Sequence, residues 1–155
     1  MRALLQRVTH AEVSVEGKCT GSVKNGFLVL LGVGQNDTEE QARQLAAKIA
    51  GLRVFTDEQD KMNLSLVEVN GGALVVSQFT LYADCRRGRR PNFIPAAPSQ
   101  LAEPLYERFC QLLREKGIER VECGIFGAEM KVSLCNDGPV TIWLDTEELS
   151  LPKRH

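Results

Sequence analysis

A chain of 155 residues, 43% hydrophobic and 25% charged, has the length of one domain and the composition of an ordinary globular core. Its formal net charge of −1 excludes a general electrostatic attraction to nucleic acid, so any phosphate contact must come from a local basic patch. The opening stretch Met1–Arg7 is too short and too interrupted for a signal peptide, and no apolar run approaches the ~18 residues of a membrane span, so a cytoplasmic setting is expected.

Residues 2–8, 12–16, 19–23 and 26–33 carry the apolar patterning of strands. Glu16-Gly17 and Asn25-Gly26 mark turns between them. Asn-Gly between apolar runs is a hairpin signal, because both residues tolerate the positive φ of a tight turn. Thr38 then opens a helix, with Gln41 three residues on as a capping box requires and Glu39 and Glu40 in the first turn. Ala42, Leu45, Ala46 and Ile49 form its apolar stripe and Gly51 ends it. A strand at 52–55, a polar turn at Asp57–Asp60, an apolar run at 64–67 and a strand at 73–82 follow.

Residues 84–98 are irregular, with four arginines and three prolines. A second helix covers 99–116, its apolar face at Leu101, Leu105, Phe109 and Leu112. Pro104 is expected in its first turn, where a missing N–H costs least, and Gly117 closes it. Two strands, 130–135 and 140–145, come last, and residues 150–155 read as a loose tail. The expectation is a single α/β domain spanning 1–149, built on a curved, largely antiparallel sheet or barrel with two main helices.

Ordinary catalytic chemistry is poorly represented. The two histidines are His155, the last residue, and His10, expected in a solvated turn between the first two strands. A Ser-His-Asp or Cys-His arrangement needs a better placed imidazole. The five cysteines are scattered, without a Cys-x-x-Cys, and read as reduced, mostly packed thiols; no set of metal ligands is visible. Gly32-Val33-Gly34 lacks the remaining residues of a nucleotide loop and reads as a flexible exit from a strand. The cluster Arg86, Arg87, Arg89 and Arg90 is either a solvated loop or a phosphate contact, and composition does not decide between them.

Two strings remain. Ser77-Gln78-Phe79-Thr80-Leu81 ends the buried run Ala73–Val76 and, as a regular strand, puts Ser77, Phe79 and Leu81 on one face and Gln78 and Thr80 on the other. Asn136-Asp137-Gly138-Pro139-Val140-Thr141 places turn-forming residues between two strand patterns. Alone, the first reads as an edge strand and the second as a hairpin turn. Together and in this order, with Met1-Arg2, Gln6-Arg7-Val8 and Phe126-Gly127-Ala128-x-Met130, they resemble the D-aminoacyl-tRNA deacylases over nearly the whole chain. Relatives that remove L-alanine differ around the Gly-Pro and at the position of Arg7, so the chain looks like the D-specific branch.

The resemblance implies a cytoplasmic two-fold homodimer that hydrolyses the ester of D-aminoacyl-tRNA without a cofactor or metal. In it the Gly138-Pro139 bond is cis, and both residues enter the partner subunit's active site to exclude L-residues, with Arg7 holding the motif. Ser77, Gln78, Phe79 and Thr80 would form the catalytic pocket, with backbone N–H near Phe79 facing the ester. Phe126, Ala128 and Met130 would shape the slot for the terminal adenosine. The competing function is a non-catalytic RNA- or nucleotide-binding module that uses the arginine loop.

Overall fold

One long strand, β1 (Arg2–Val15), organises the sheet in the computed structural model, which describes residues 1–154. Along one edge of β1 run β2 (Lys18–Val23) and β3 (Gly26–Gly32), both antiparallel to it. Along the other edge lies β8 (Lys131–Asp145), also antiparallel. The sheet continues from β3 through β6 (Gly72–Ser77) to β7 (Val121–Cys123), both joined in parallel. It curls until β2 meets β7: a Cβ on Gly21 would lie 2.8 Å from the Cys123 carbonyl. The result is a single α/β unit with a mixed, nearly closed sheet, where a largely antiparallel one was expected. A separate small hairpin pairs β4 (Phe55–Thr56) with β5 (Met62–Leu64).

Two expected chain reversals are absent. His10 lies inside β1, exposed and opposite Cys135, because the chain absorbs an extra residue as a bulge at Thr9 instead of reversing. Ala3 and Leu5 point to one core and Val8 to another, and the bulge brings Ala11 and Val13 onto the face of Val8. Asn25-Gly26 does not make a hairpin either. It is a bend that joins β2 to β3, both travelling the same way along β1. Gly26 is required for a different reason: a Cβ there would fall 1.9 Å from the Gly72 carbonyl of the neighbouring strand.

Helix α1 (Glu39–Gly51) forms as its sequence dictates, with the Gln41 side chain accepting the Thr38 N–H at 2.8 Å. Helix α2 (Ser99–Glu115) places Pro104 in its second turn, not its first; the Gln100 carbonyl left without a helical partner is on the exposed side. Both helices cover the face of the sheet bearing Ala3, Leu5, Phe27, Val29, Leu31 and Val75. Fully buried side chains such as Leu45, Phe109 and Leu113 each contribute about 1.5–3 kcal/mol there. The opposite face folds over a second cluster of Val8, Val13, Leu28, Leu74 and Val76, closed by Val132 and Leu134. A short helix, α3 (Thr146–Leu149), follows β8, and residues 151–154 are exposed beyond it. His155 lies outside the described residues. Among those that are described, no helix is long and apolar enough to cross a membrane.

Candidate active site

Strand β6 stops at Ser77, earlier than its sequence suggests. Gln78 turns the chain (φ −144°, ψ 81°) into a 3₁₀ turn, Phe79–Tyr82, so the face alternation expected for Ser77–Leu81 does not occur. The cause is tertiary. Leu81 and Tyr82 fold back over the end of β3, where a Cβ on Gly32 would meet Leu81 at 3.1 Å and one on Gly34 would meet the Tyr82 ring at 2.9 Å. Those two glycines therefore make room for the turn and are more than a flexible exit. Arg2 clasps it from β1, donating to the Leu81 carbonyl at 3.0 Å and to Asp145 at 3.0 Å, with its guanidinium 4.4 Å from the Tyr82 ring. Its guanidinium also lies 5.6 Å from the ring of the half-exposed Trp143. Burial, helped by Asp37, pushes the Tyr82 hydroxyl well above its ordinary range, so it stays neutral.

This turn has a chemical consequence. The first N–H groups of a helical turn have no partner within it. Among the described residues, the N–H groups of Phe79 and Thr80 have no acceptor, whereas the Gln78 N–H is used by the Leu31 carbonyl at 2.8 Å. The Thr80 hydroxyl is exposed and bonded to the Gln78 side-chain amide, with no imidazole or carboxylate bonded to it among the described residues.

Ser77, Gln78 and Phe79 border a cavity of about 510 Å³. Its far wall is the turn between β7 and β8, which contributes Phe126, Ala128 and Met130, and its floor is Tyr106 of α2. Thus the two groups that the sequence placed 50 positions apart share one pocket. Thr80 stands on the same turn without bordering the cavity. Phe93, Ala96 and Ala97 complete the wall, and Phe93 meets Phe79 edge-on at 5.0 Å. This stretch of the irregular segment is held by the Ala97 N–H on the Val33 carbonyl at 2.9 Å. No sequence signal marked it as pocket-forming.

Gly138 and Pro139 border no part of that cavity. Gln6 faces Thr141 and Val8 faces Asn136, so Asp137–Val140 stand opposite Arg7 alone and project from the sheet as an excursion within β8. The Gly138-Pro139 bond is cis, and Gly138 has φ +136°. Asn136 closes the base of the excursion: its side chain accepts the Val140 N–H at 2.8 Å and donates to the Thr141 hydroxyl at 2.8 Å. Buried Arg7 braces it from β1, donating to the Asp137 carbonyl at 3.0 Å and to the Val54 carbonyl at 2.6 Å.

The whole chain can be compared with known proteins. Residues 4–145 match the D-Tyr-tRNA(Tyr) deacylase family. A D-aminoacyl-tRNA deacylase of Thermotoga petrophila is 59% identical over 149 residues, covering 96% of this chain and 99% of the relative. The chain belongs to that family. A D-aminoacyl-tRNA deacylase of Thermus aquaticus is 57% identical over 96% of this chain and 97% of its own. The solved c-Myc DNA Unwinding Element Binding Protein superposes with a TM-score of 0.89 at 41% identity, covering 94% of this chain and 98% of that one. A probable eukaryotic D-amino acid tRNA deacylase, 21% identical, shares the fold with a TM-score of 0.80, covering 92% of this chain and 97% of its own. The resemblance carried by the two strings is borne out, and membership makes the chain a hydrolase.

The arginine cluster forms the tip of a loop closed by Asp84 and Asn92, whose backbones exchange bonds of 2.7 and 2.9 Å. Arg86 pairs with Asp84 at 2.8 Å and holds that carboxyl down at about 2. Arg87, Arg89 and Arg90 are exposed and have no ion-pair partner among the described residues. The cysteines are less packed than expected: Cys19, Cys85 and Cys135 are exposed, Cys123 is half-buried, and only Cys110 is buried.

Proposed function

We propose that the protein hydrolyses the ester joining a D-amino acid to the terminal ribose of tRNA, with residues 1–149 as the catalytic domain, in the cytoplasm, as a two-fold homodimer. The observation that carries this reading is the pair of free N–H groups, Phe79 and Thr80, on the turn that rims an apolar cavity. Fixed donors of that kind suit the oxyanion that develops as an ester carbonyl is attacked, and each is commonly worth ~3–4 kcal/mol. The apolar wall of Phe126, Ala128 and Met130 suits the flat face of the terminal adenosine.

An aminoacyl ester is already reactive, so positioning and oxyanion stabilisation suffice when the neighbouring ribose hydroxyl orients or activates water. The Thr80 hydroxyl is a poor nucleophile here because no base among the described residues is bonded to it. Chiral selection is assigned to the carbonyl oxygens of Gly138 and Pro139, which would crowd the side chain of an L-residue. A discrimination of 10⁴ requires about 5.5 kcal/mol, within reach of steric exclusion. Glycine, with nothing to exclude, is cleaved as well, including when mischarged on alanine tRNA.

These two residues are exposed and lie away from their own chain's cavity, which favours action in a partner's site. The free edge of the 15-residue β8 also favours a dimer, since a long unpaired edge invites a covering surface. Arg86, Arg87, Arg89 and Arg90 are assigned to tRNA phosphates near the acceptor end.

Side-by-side hydrolysis of D-tyrosyl- and L-tyrosyl-tRNA, with a chelator present, tests this reading. Loss of the D-ester alone supports it. Sparing of both esters favours the non-catalytic binding module, and cleavage of both removes the chiral role from Gly138 and Pro139.

A further inference from the structure

Two cysteines that sequence spacing did not connect meet between α2 and β7. The Sγ atoms of Cys110 and Cys123 lie 3.4 Å apart and share a hydrogen bond. Their settings are unequal. Cys110 is buried on the core face of α2. Cys123 is half-buried at the end of β7 and borders a recess of about 570 Å³ that Cys110 and Arg114 also border and that backs onto the substrate cavity at Tyr106 and Phe126. The Cys110 thiol, seconded by Tyr106 and Arg114, lowers the Cys123 thiol below its ordinary range against the opposing effect of burial. Cys110 is pushed the other way by that same bond and by its burial. A half-buried, acidified thiol in contact with a buried one is the arrangement of an attacking and a resolving cysteine.

We propose that Cys110 and Cys123 are a redox-active dithiol, a modification site at which a hydroperoxide installs a disulfide joining α2 to β7. The Cys123 thiolate attacks one peroxide oxygen, the O–O bond breaks, and the leaving alkoxide or hydroxide takes a proton from water. Cys123 is then a sulfenic acid. The Cys110 sulfur attacks it, the S–S bond forms, and the Cys110 proton leaves with the displaced hydroxide as water. The dithiol is oxidised by two electrons and the hydroperoxide is reduced to an alcohol or water. Closure to a bonded distance of about 2.05 Å requires the sulfurs to approach by about 1.4 Å. Cys123 stands at the end of the three-residue β7, where its ladder pairing with β6 stops.

The test uses the full chain treated with equimolar hydrogen peroxide, quenched with N-ethylmaleimide and mapped by mass spectrometry. Arg114, Lys116 and Arg120 lie between the two cysteines, so trypsin separates their peptides unless a disulfide joins them. The expected result is loss of two alkylatable thiols and one cross-linked Cys110–Cys123 peptide pair, reversed by dithiothreitol. C110S is expected to stop at a dimedone-reactive Cys123. The proposal is overturned if Cys110 and Cys123 remain alkylatable in the wild-type protein while Cys19, Cys85 or Cys135 oxidise. A disulfide joining any other pair overturns it equally, and neither reading depends on deacylase activity.

Discussion

Replacing Arg7 by methionine removes two donors while keeping an unbranched side chain in the same space. Those donors hold the Val54 carbonyl at 2.6 Å and the Asp137 carbonyl at 3.0 Å. A bond from a charged donor contributes about 1.5–3 kcal/mol, so the pair supplies about 3–6 kcal/mol before costs. The Arg7 side chain is only 10% exposed, and the nearest carboxylate, on Asp137, is 3.8 Å away and itself 54% exposed, so desolvation offsets part of that gain. The net loss on R7M is about 2–4 kcal/mol. In urea it reads as a lower midpoint at unchanged slope, with R7K, which keeps one bond, falling between. Deacylation by R7M, assayed below its unfolding transition, is expected to drop because Asp137–Val140 loses its brace. A stability within about 0.5 kcal/mol of the parent would refute the reasoning, since the two carbonyls would then be satisfied without the guanidinium.

G138A places a Cβ 2.8 Å from the Val140 side chain and 3.2 Å from the Arg7 guanidinium, at a φ of +136°. The backbone term alone is about 1–3 kcal/mol, visible in a thermal melt, and the D-to-L hydrolysis ratio is expected to fall. T80A is expected to retain turnover within about tenfold of the parent, whereas an acyl-enzyme trapped in T80S would overturn substrate assistance. Alanine at Arg87, Arg89 or Arg90 is expected to weaken tRNA binding and to lower the slope of log affinity against log salt by about 0.7–0.9 each, with hydrolysis at saturating substrate unchanged. Asp84, held at about 2 by Arg86, has a folded pKa below its unfolded value of 3.8. The pair's contribution is therefore complete above the unfolded value and lost only as pH falls through the folded one, so a carboxyl NMR titration should show no transition between about pH 4 and 8.

What the sequence made legible was whatever local chemistry decides. Helix α1 carried its own cap and stripe, and α2 was placed to within a residue because Leu105, Phe109 and Leu112 kept helical spacing. The two strings identified the family through residue identity. The remainder depended on partners remote in the chain. Asn25-Gly26 serves the approach of Gly72, and the continuity of β1 depends on how β8 crosses its bulge. The turn at Phe79–Tyr82 exists because Gly32, Gly34 and Arg2 accommodate it, and none of the three stands near it in sequence. Short β7 passed unnoticed, since three residues give no periodicity to read. With it went the meeting of Cys110 and Cys123.

The single tryptophan, Trp143, is 41% exposed on β8 and near the guanidinium of Arg2, the same side chain that clasps the Phe79–Tyr82 turn. Indole emission shifts to shorter wavelength when water leaves its surface. Trp143 thus gives the protein an internal optical reporter that needs no label and has no second indole to confuse it. A blue shift with rising protein concentration would register the covering of this part of β8 by another copy. A change in intensity at fixed concentration when Arg2 is replaced would register the loosening of the clasp beneath the turn.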